Sequence, residues 1–142
     1  MPQPLSPELF LRWCRSCLSA LGHAREEIDA LNVYPVPDND TGTNLFLTFE
    51  AAVAALERDD TGSDLGAGAR AFVDGALRGA RGNSGVIMSQ LLRACVLPVT
   101  AAAVRAEPPG TVGASVLADA LSAASAAAYA AVGHPVEGTI LS

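Results

Sequence analysis

Two carboxylates two residues apart, Asp38 and Asp40, lie near the end of the run Asn32-Val33-Tyr34-Pro35-Val36-Pro37-Asp38-Asn39-Asp40-Thr41-Gly42-Thr43-Asn44. Each proline fixes φ and holds the residue before it extended, so Tyr34 to Asp38 is expected to form a stiff strut. Alternate side chains of an extended segment face the same way, which points both carboxylates into one small volume. Their repulsion is relieved by bound cations or positive neighbours. Mg²⁺ suits such a pair, because it takes one or two carboxylates and fills its octahedron with water and phosphate oxygens. A second run, Gly79-Ala80-Arg81-Gly82-Asn83-Ser84-Gly85, places glycines, a serine and an arginine just before an apolar helix. Free backbone N–H groups at a helix N-terminus are where phosphate binds. The two runs together read as a metal–phosphate site.

The acidic run taken alone admits other readings. It is also a helix entry with Asp40 or Thr41 as N-cap. A calcium-binding EF-hand is excluded by register, since Gly42 falls where the fifth ligand belongs and Phe49 where the bidentate glutamate belongs. The glycine-serine run is what raises the metal reading above the helix entry. All basic residues are arginine, and the absence of lysine removes both the Walker A lysine and a Schiff-base mechanism. A net charge of −6 argues against nucleic acid and anionic membrane as partners. The amino terminus lacks a signal-peptide pattern, and no uninterrupted apolar run is long enough for a bilayer, so a cytoplasmic location is expected.

These residues need elements to position them, and the periodicity supplies helices only. Ser6-Pro7-Glu8 predicts a helix start with Ser6 as N-cap, and the apolar spacing carries that helix to Leu21, with a break near Gly22. His23 then falls at the break as a loop or capping residue, and Glu26 to Leu31 forms a short helical turn. Further helices are predicted from about Thr43 to Arg58, Asp64 to Leu77, Asn83 to Val96 and Ser115 to Val132. Asp59 to Ser63 and Glu107-Pro108-Pro109-Gly110 are connectors, and Pro98 ends or kinks the fourth helix. Glycines within the third helix imply close helix–helix approach. Val136 to Ser142 reads as the opening of another helix. Cys14-Arg15-Ser16-Cys17 spells a redox or zinc motif, but it sits inside a helical pattern with no second pair, so Cys14, Cys17 and Cys95 are read as core thiols. With 142 residues in one domain, the fold class is all-α, with the functional loops gathered at one end of a bundle.

Three blocks carry a resemblance to a known family. They are Leu31 to Asn44, then Gly79-Ala80-Arg81-Gly82-Asn83-Ser84-Gly85-Val86-Ile87-Met88-Ser89-Gln90, then Pro135-Val136-Glu137-Gly138-Thr139-Ile140-Leu141. In this order they closely resemble the nucleotide-binding domain of the dihydroxyacetone kinase L-subunit (DhaL) family. Pro-Val-Pro-Asp and Gly-Asn-Ser-Gly look most like its bacterial fatty acid kinase A-subunit branch. The resemblance implies an antiparallel helical barrel that binds ATP or ADP at one rim through two Mg²⁺ ions. It implies that Asp38 and Asp40 hold the metals, with Asn32 at the position of a further ligand. Thr43 and Asn44 would line the nucleotide, Gly82, Asn83, Ser84 and Gly85 would hold phosphates, and Thr139 would approach from the far side; apart from the resemblance, Arg81 or Arg78 is expected to supply positive charge to phosphoryl transfer. Asn39 replaces the glycine usual between the aspartates, and Leu45 a common methionine.

The family domain continues through helices that close the barrel, so residues 1–142 are expected to be a truncated domain. Phosphoryl transfer asks for positioning and charge neutralisation more than for acid–base groups. The chain shows no acceptor pocket of its own, which fits a kinase subunit whose acceptor arrives on a fatty-acid-binding or ketose-binding partner protein. The alternatives are a dihydroxyacetone kinase L-subunit-like nucleotide-binding subunit and a non-catalytic nucleotide-binding or interaction module. A purely structural bundle leaves both polar loops without purpose. A homodimer is compatible with the sequence.

Overall fold

The computed structural model describes residues 3–33, 37–58, 64–135 and 139–141. Five helices follow in order: α1 (Pro7–Leu31), α2 (Thr41–Arg58), α3 (Leu65–Arg78), α4 (Gly82–Arg105) and α5 (Ala114–Ala130). No strand occurs among the described residues, in keeping with the all-α expectation. Tyr34 to Val36 of the strut, the connector at 59–63 and residues 136–138 and 142 lie outside the described residues. Thr139 to Leu141 are in a bend and turn, not a helix.

Local chemistry sets the helix starts. Ser6 accepts the Leu9 amide at 3.1 Å with Pro7 in the first turn of α1, and Asp64 caps α3 by accepting the Ala67 amide at 3.1 Å. Two sequence expectations of breaks are corrected. Gly22 does not end α1, which runs on to Leu31. A glycine inside a helix costs about 1 kcal/mol, and here it admits the Phe46 ring of α2, which a Cβ would meet at 3.2 Å. His23 is accordingly an exposed helical residue whose Nδ1 lies 2.7 Å from the Ser19 carbonyl. A carbonyl only accepts, so Nδ1 carries the proton.

Pro98 likewise does not end α4, which continues to Arg105. An interior proline costs about 3 kcal/mol, but the helix beyond it buries Thr100 and Ala103, and the Thr100 hydroxyl donates to the Val96 carbonyl at 2.8 Å. By length and composition α4 is apolar enough to cross a membrane, although Ser89, Gln90 and Arg93 interrupt its apolar run. In this fold α4 packs against α2, α3 and α5.

Short connections make successive helices antiparallel. The main contacts are α1 with α2, α2 with α3, α3 with α4, and α4 with α5, and α2 also meets α4. Gly75 brings α3 onto α2, because a Cβ there would collide with the Ala55 side chain. Phe72 is fully buried, edge-on to Phe10 and Phe49 with centroids 5.5 and 5.4 Å apart, and Trp13 joins the cluster half-exposed.

α5 packs on α4 alone, so the described helices form an open bundle and not the closed barrel. Its buried stripe is Ala120, Ala124 and Ala128, while the larger Leu117, Leu121 and Tyr129 are exposed. Leu77, Val86 and Leu91 are likewise exposed. With a single neighbour, small residues give the closest approach and larger ones face outward.

Cys14 is fully buried, and burial, with Cys17 beside it, pushes its thiol up to about 12. Cys17 and Cys95 are half-buried and also raised by burial. None of the three is in a disulfide.

Candidate functional site

Because α1 continues past Gly22, Arg25, Asp29 and Asn32 fall on one face at i, i+4 and i+7, directed at the start of α2. Asn32 Oδ1 accepts the backbone amides of Asp40 at 3.1 Å and Thr41 at 3.2 Å. The Asp29 carboxylate takes the Thr43 amide at 2.9 Å on one oxygen and the Thr43 hydroxyl at 2.7 Å on the other. Arg25 Nε donates to the Thr43 hydroxyl at 3.0 Å, and its guanidinium lies 5.3 Å from the centroid of the Phe46 ring. Among the described residues, the donors at the start of α2 are thus satisfied from the end of α1, with no capping bond from the side chain of Asp40 or Thr41.

This arrangement fixes the loop ahead of α2. Asn39 sits at φ +52, the left-handed conformation that glycine usually takes and asparagine tolerates. Asp38 and Asp40 are exposed, and among the described residues neither carboxylate is held in an ion pair or hydrogen bond. Asn44 donates its amide to the Asp40 carbonyl at 2.8 Å, so Asp40, Asn44 and Thr48 lie four apart along one face of α2.

That face meets the start of α4. Gly82 has φ +63, and a Cβ on it would meet Asn44 Nδ2 at 2.5 Å. One turn deeper, the fully buried Thr48 accepts the Arg81 amide at 3.0 Å and lies against Gly85. Arg81 stands at the N-cap of α4 without a side-chain cap bond, and Gly82 and Asn83 are exposed with Ser84 half-buried. The N-terminus of α4 therefore presents backbone N–H groups with no side-chain cap, beside the acidic loop. A helix start in that state attracts anions.

The donor set decides what cation fits. Among the described residues no group of three or more His, Cys, Asp or Glu side chains converges as metal ligands. Asp38 and Asp40 offer two carboxylates, which suits a cation that keeps water and phosphate ligands better than one that needs an all-protein cage. Arg78 is exposed in the last turn of α3, near this end. Thr139 lies past α5, where Tyr129 OH donates to the Leu141 carbonyl at 2.6 Å and Thr139 Oγ1 accepts the Leu141 amide at 3.4 Å.

The sequence matches the family description "DAK2 domain" over residues 35–142. The chain belongs to the DAK2 domain family. The match takes in both polar loops and Thr139, whereas Arg25, Asp29 and Asn32 precede it. Relatives of this DAK2 chain include uncharacterised proteins of Staphylococcus aureus strains USA300, NCTC 8325 and MRSA252. Each is 41% identical over 121 residues, which cover 85% of this chain and 21% of the relative. The DAK2 chain thus spans about a fifth of the length of those relatives.

Of the residues expected from the sequence, Asn44 meets Gly82 where α2 crosses the start of α4, whereas Arg25, Asp29 and Thr48 were not expected there. The first two were hidden by the break placed at Gly22. Burial raises the Asp29 pKa, but the Thr43 hydroxyl, the Thr43 and Gly42 amides and the Arg25 charge outweigh it, leaving the carboxyl below its ordinary value. A lowered folded pKa adds stability that is complete above the unfolded value, about 3.9, and is lost as pH falls through the folded one. Asp29→Asn is expected to lose about 1 kcal/mol at pH 7. Urea denaturation should show that difference shrinking below pH about 3.9, and a constant difference down to pH 2 would contradict the network.

Proposed function

We propose that this DAK2 domain is the Mg²⁺-nucleotide-binding module of a phosphotransfer system, of the dihydroxyacetone kinase L-subunit kind. The observation that carries the reading is the Asp40–Asn44–Thr48 face of α2, which sets the exposed Asp40 one turn from the contact of Asn44 with Gly82 at the uncapped start of α4. Asp38 and Asp40 would hold Mg²⁺, with water and phosphate completing its shell. When bound, the metal would neutralise phosphate charge as it develops. Backbone amides of Gly82, Asn83 and Ser84 would take phosphate oxygens, with Gly85 leaving room for the turn, and Arg81 or Arg78 would add positive charge.

Asn44 would line the nucleotide. Asn32 and Thr43 we assign chiefly to holding the loop, since the Asn32 amide oxygen already accepts two amides and the Thr43 hydroxyl both donates and accepts. Thr139 would approach from the α5 side, as the family resemblance implies. No general base is required of this chain, because positioning and charge dominate phosphoryl transfer. The acceptor would be carried by a partner protein. Pro-Val-Pro-Asp and Gly-Asn-Ser-Gly favour a fatty-acid-binding partner over a ketose-binding one.

Isothermal titration of ATP into the 142-residue chain tests the reading. Binding is expected in excess Mg²⁺ and is expected to weaken about tenfold or more in EDTA. No binding in either buffer, or equal binding in both, would overturn it.

A further inference from the structure

We infer that Thr48 is a positioning residue for the phosphate-binding turn, acting through the Arg81 amide. The inference rests on the nucleotide-site reading and extends it to a residue that touches no ligand. Thr48 is 0% exposed within an otherwise apolar stretch of α2, between Leu47 and Phe49. Its hydroxyl oxygen accepts the Arg81 amide at 3.0 Å across a sequence separation of 33 residues. Gly85 closes over the same oxygen, because any Cβ there would strike Thr48 Oγ1.

The contact fixes a direction as well as a position. An α4 start rotated by one residue would present different amides to the acidic loop. The Arg81 amide is spent on Thr48, so the next three, on Gly82, Asn83 and Ser84, are the ones that face outward. Thr48 is also two turns along the α2 face from Asp40, so the phosphate donors and the acidic pair are registered through one helix. Valine has the same shape without the hydroxyl and would leave the Arg81 amide without its acceptor. Serine keeps the oxygen.

The test compares wild type, Thr48→Val and Thr48→Ser by titration of ATP in excess Mg²⁺, with amide hydrogen exchange read at Arg81. Thr48→Ser is expected to bind within about twofold of wild type, and Thr48→Val about tenfold more weakly, with faster Arg81 exchange. A Thr48→Val protein that melts earlier yet binds ATP as wild type does would reduce Thr48 to a packing residue and overturn the inference. Wild type itself supplies a readout should the valine variant not fold. Mg-ATP should shift the Gly82, Asn83 and Ser84 amide resonances while Arg81 stays protected, and loss of Arg81 protection on binding would overturn the clamp. Wild-type protein that binds no ATP would overturn the site reading instead, so the two failures are distinct.

Discussion

Replacing both Asp38 and Asp40 with asparagine is expected to weaken ATP binding in excess Mg²⁺ by about two orders of magnitude or more, because each removed charge beside a divalent ion is worth several kcal/mol. The fold should not register the change. Both side chains are exposed, and among the described residues neither is tied into an ion pair or hydrogen bond. Removing two neighbouring like charges also relieves repulsion, so urea denaturation should move by no more than about 0.5 kcal/mol in either direction. Loss of binding with retained stability separates a ligand-holding pair from a helix-entry pair. An acidic helix entry behaves in the opposite way, losing stability on neutralisation and leaving nucleotide affinity alone. Unchanged ATP affinity in the double variant would remove the metal site from the protein.

The largest loss of stability is expected at Phe72. It is 0% exposed and joins α1, α2 and α3 through edge-on contacts with Phe10 and Phe49. Truncation to alanine removes the buried ring and leaves a cavity whose lining helices are held apart by their own side chains, a loss of about 3–5 kcal/mol. A domain holds only about 5–15 kcal/mol in total, so Phe72→Ala should be marginal at 37 °C, with a Tm lower by about 10–20 °C. Phe72→Leu should lose less than half as much, since most of the volume remains. Thermal and urea melts monitored by circular dichroism would check both. A loss below about 1 kcal/mol for the alanine variant would mean that the helices close the cavity, and that the aromatic cluster does not organise the bundle.

Helix starts were legible because their signals are local. Ser6 with Pro7 acts within a single turn and caps α1 as expected, and the helix expected from Asp64 starts at Leu65 with Asp64 as its cap. Helix ends at Gly22 and Pro98 were not legible. The intrinsic penalties there are about 1 and 3 kcal/mol, and packing against α2 in one case and burial of Thr100 and Ala103 in the other exceed them. The glycines of α3 could be read, since close approach is the common reason for a glycine in a helix, and Gly75 against Ala55 is such a contact. The alanine-rich α5 could not, because nearly every face of it is apolar and only the number of neighbours decides which one is buried.

Residue types and their order established by themselves that this chain is helical, that it carries an acidic pair and a glycine-serine turn, and that it resembles DhaL-type domains. Which polar groups remain available to a ligand was decided only in three dimensions. Asn32 and Thr43 look as ligand-like in sequence as Asp38 and Asp40, yet hydrogen bonds between the end of α1 and the start of α2 engage the first two and leave the carboxylates in solvent. A hydrogen-bonding group commits to whichever partner the neighbouring helix brings within about 3 Å, and that neighbour is set by packing of side chains distant in sequence.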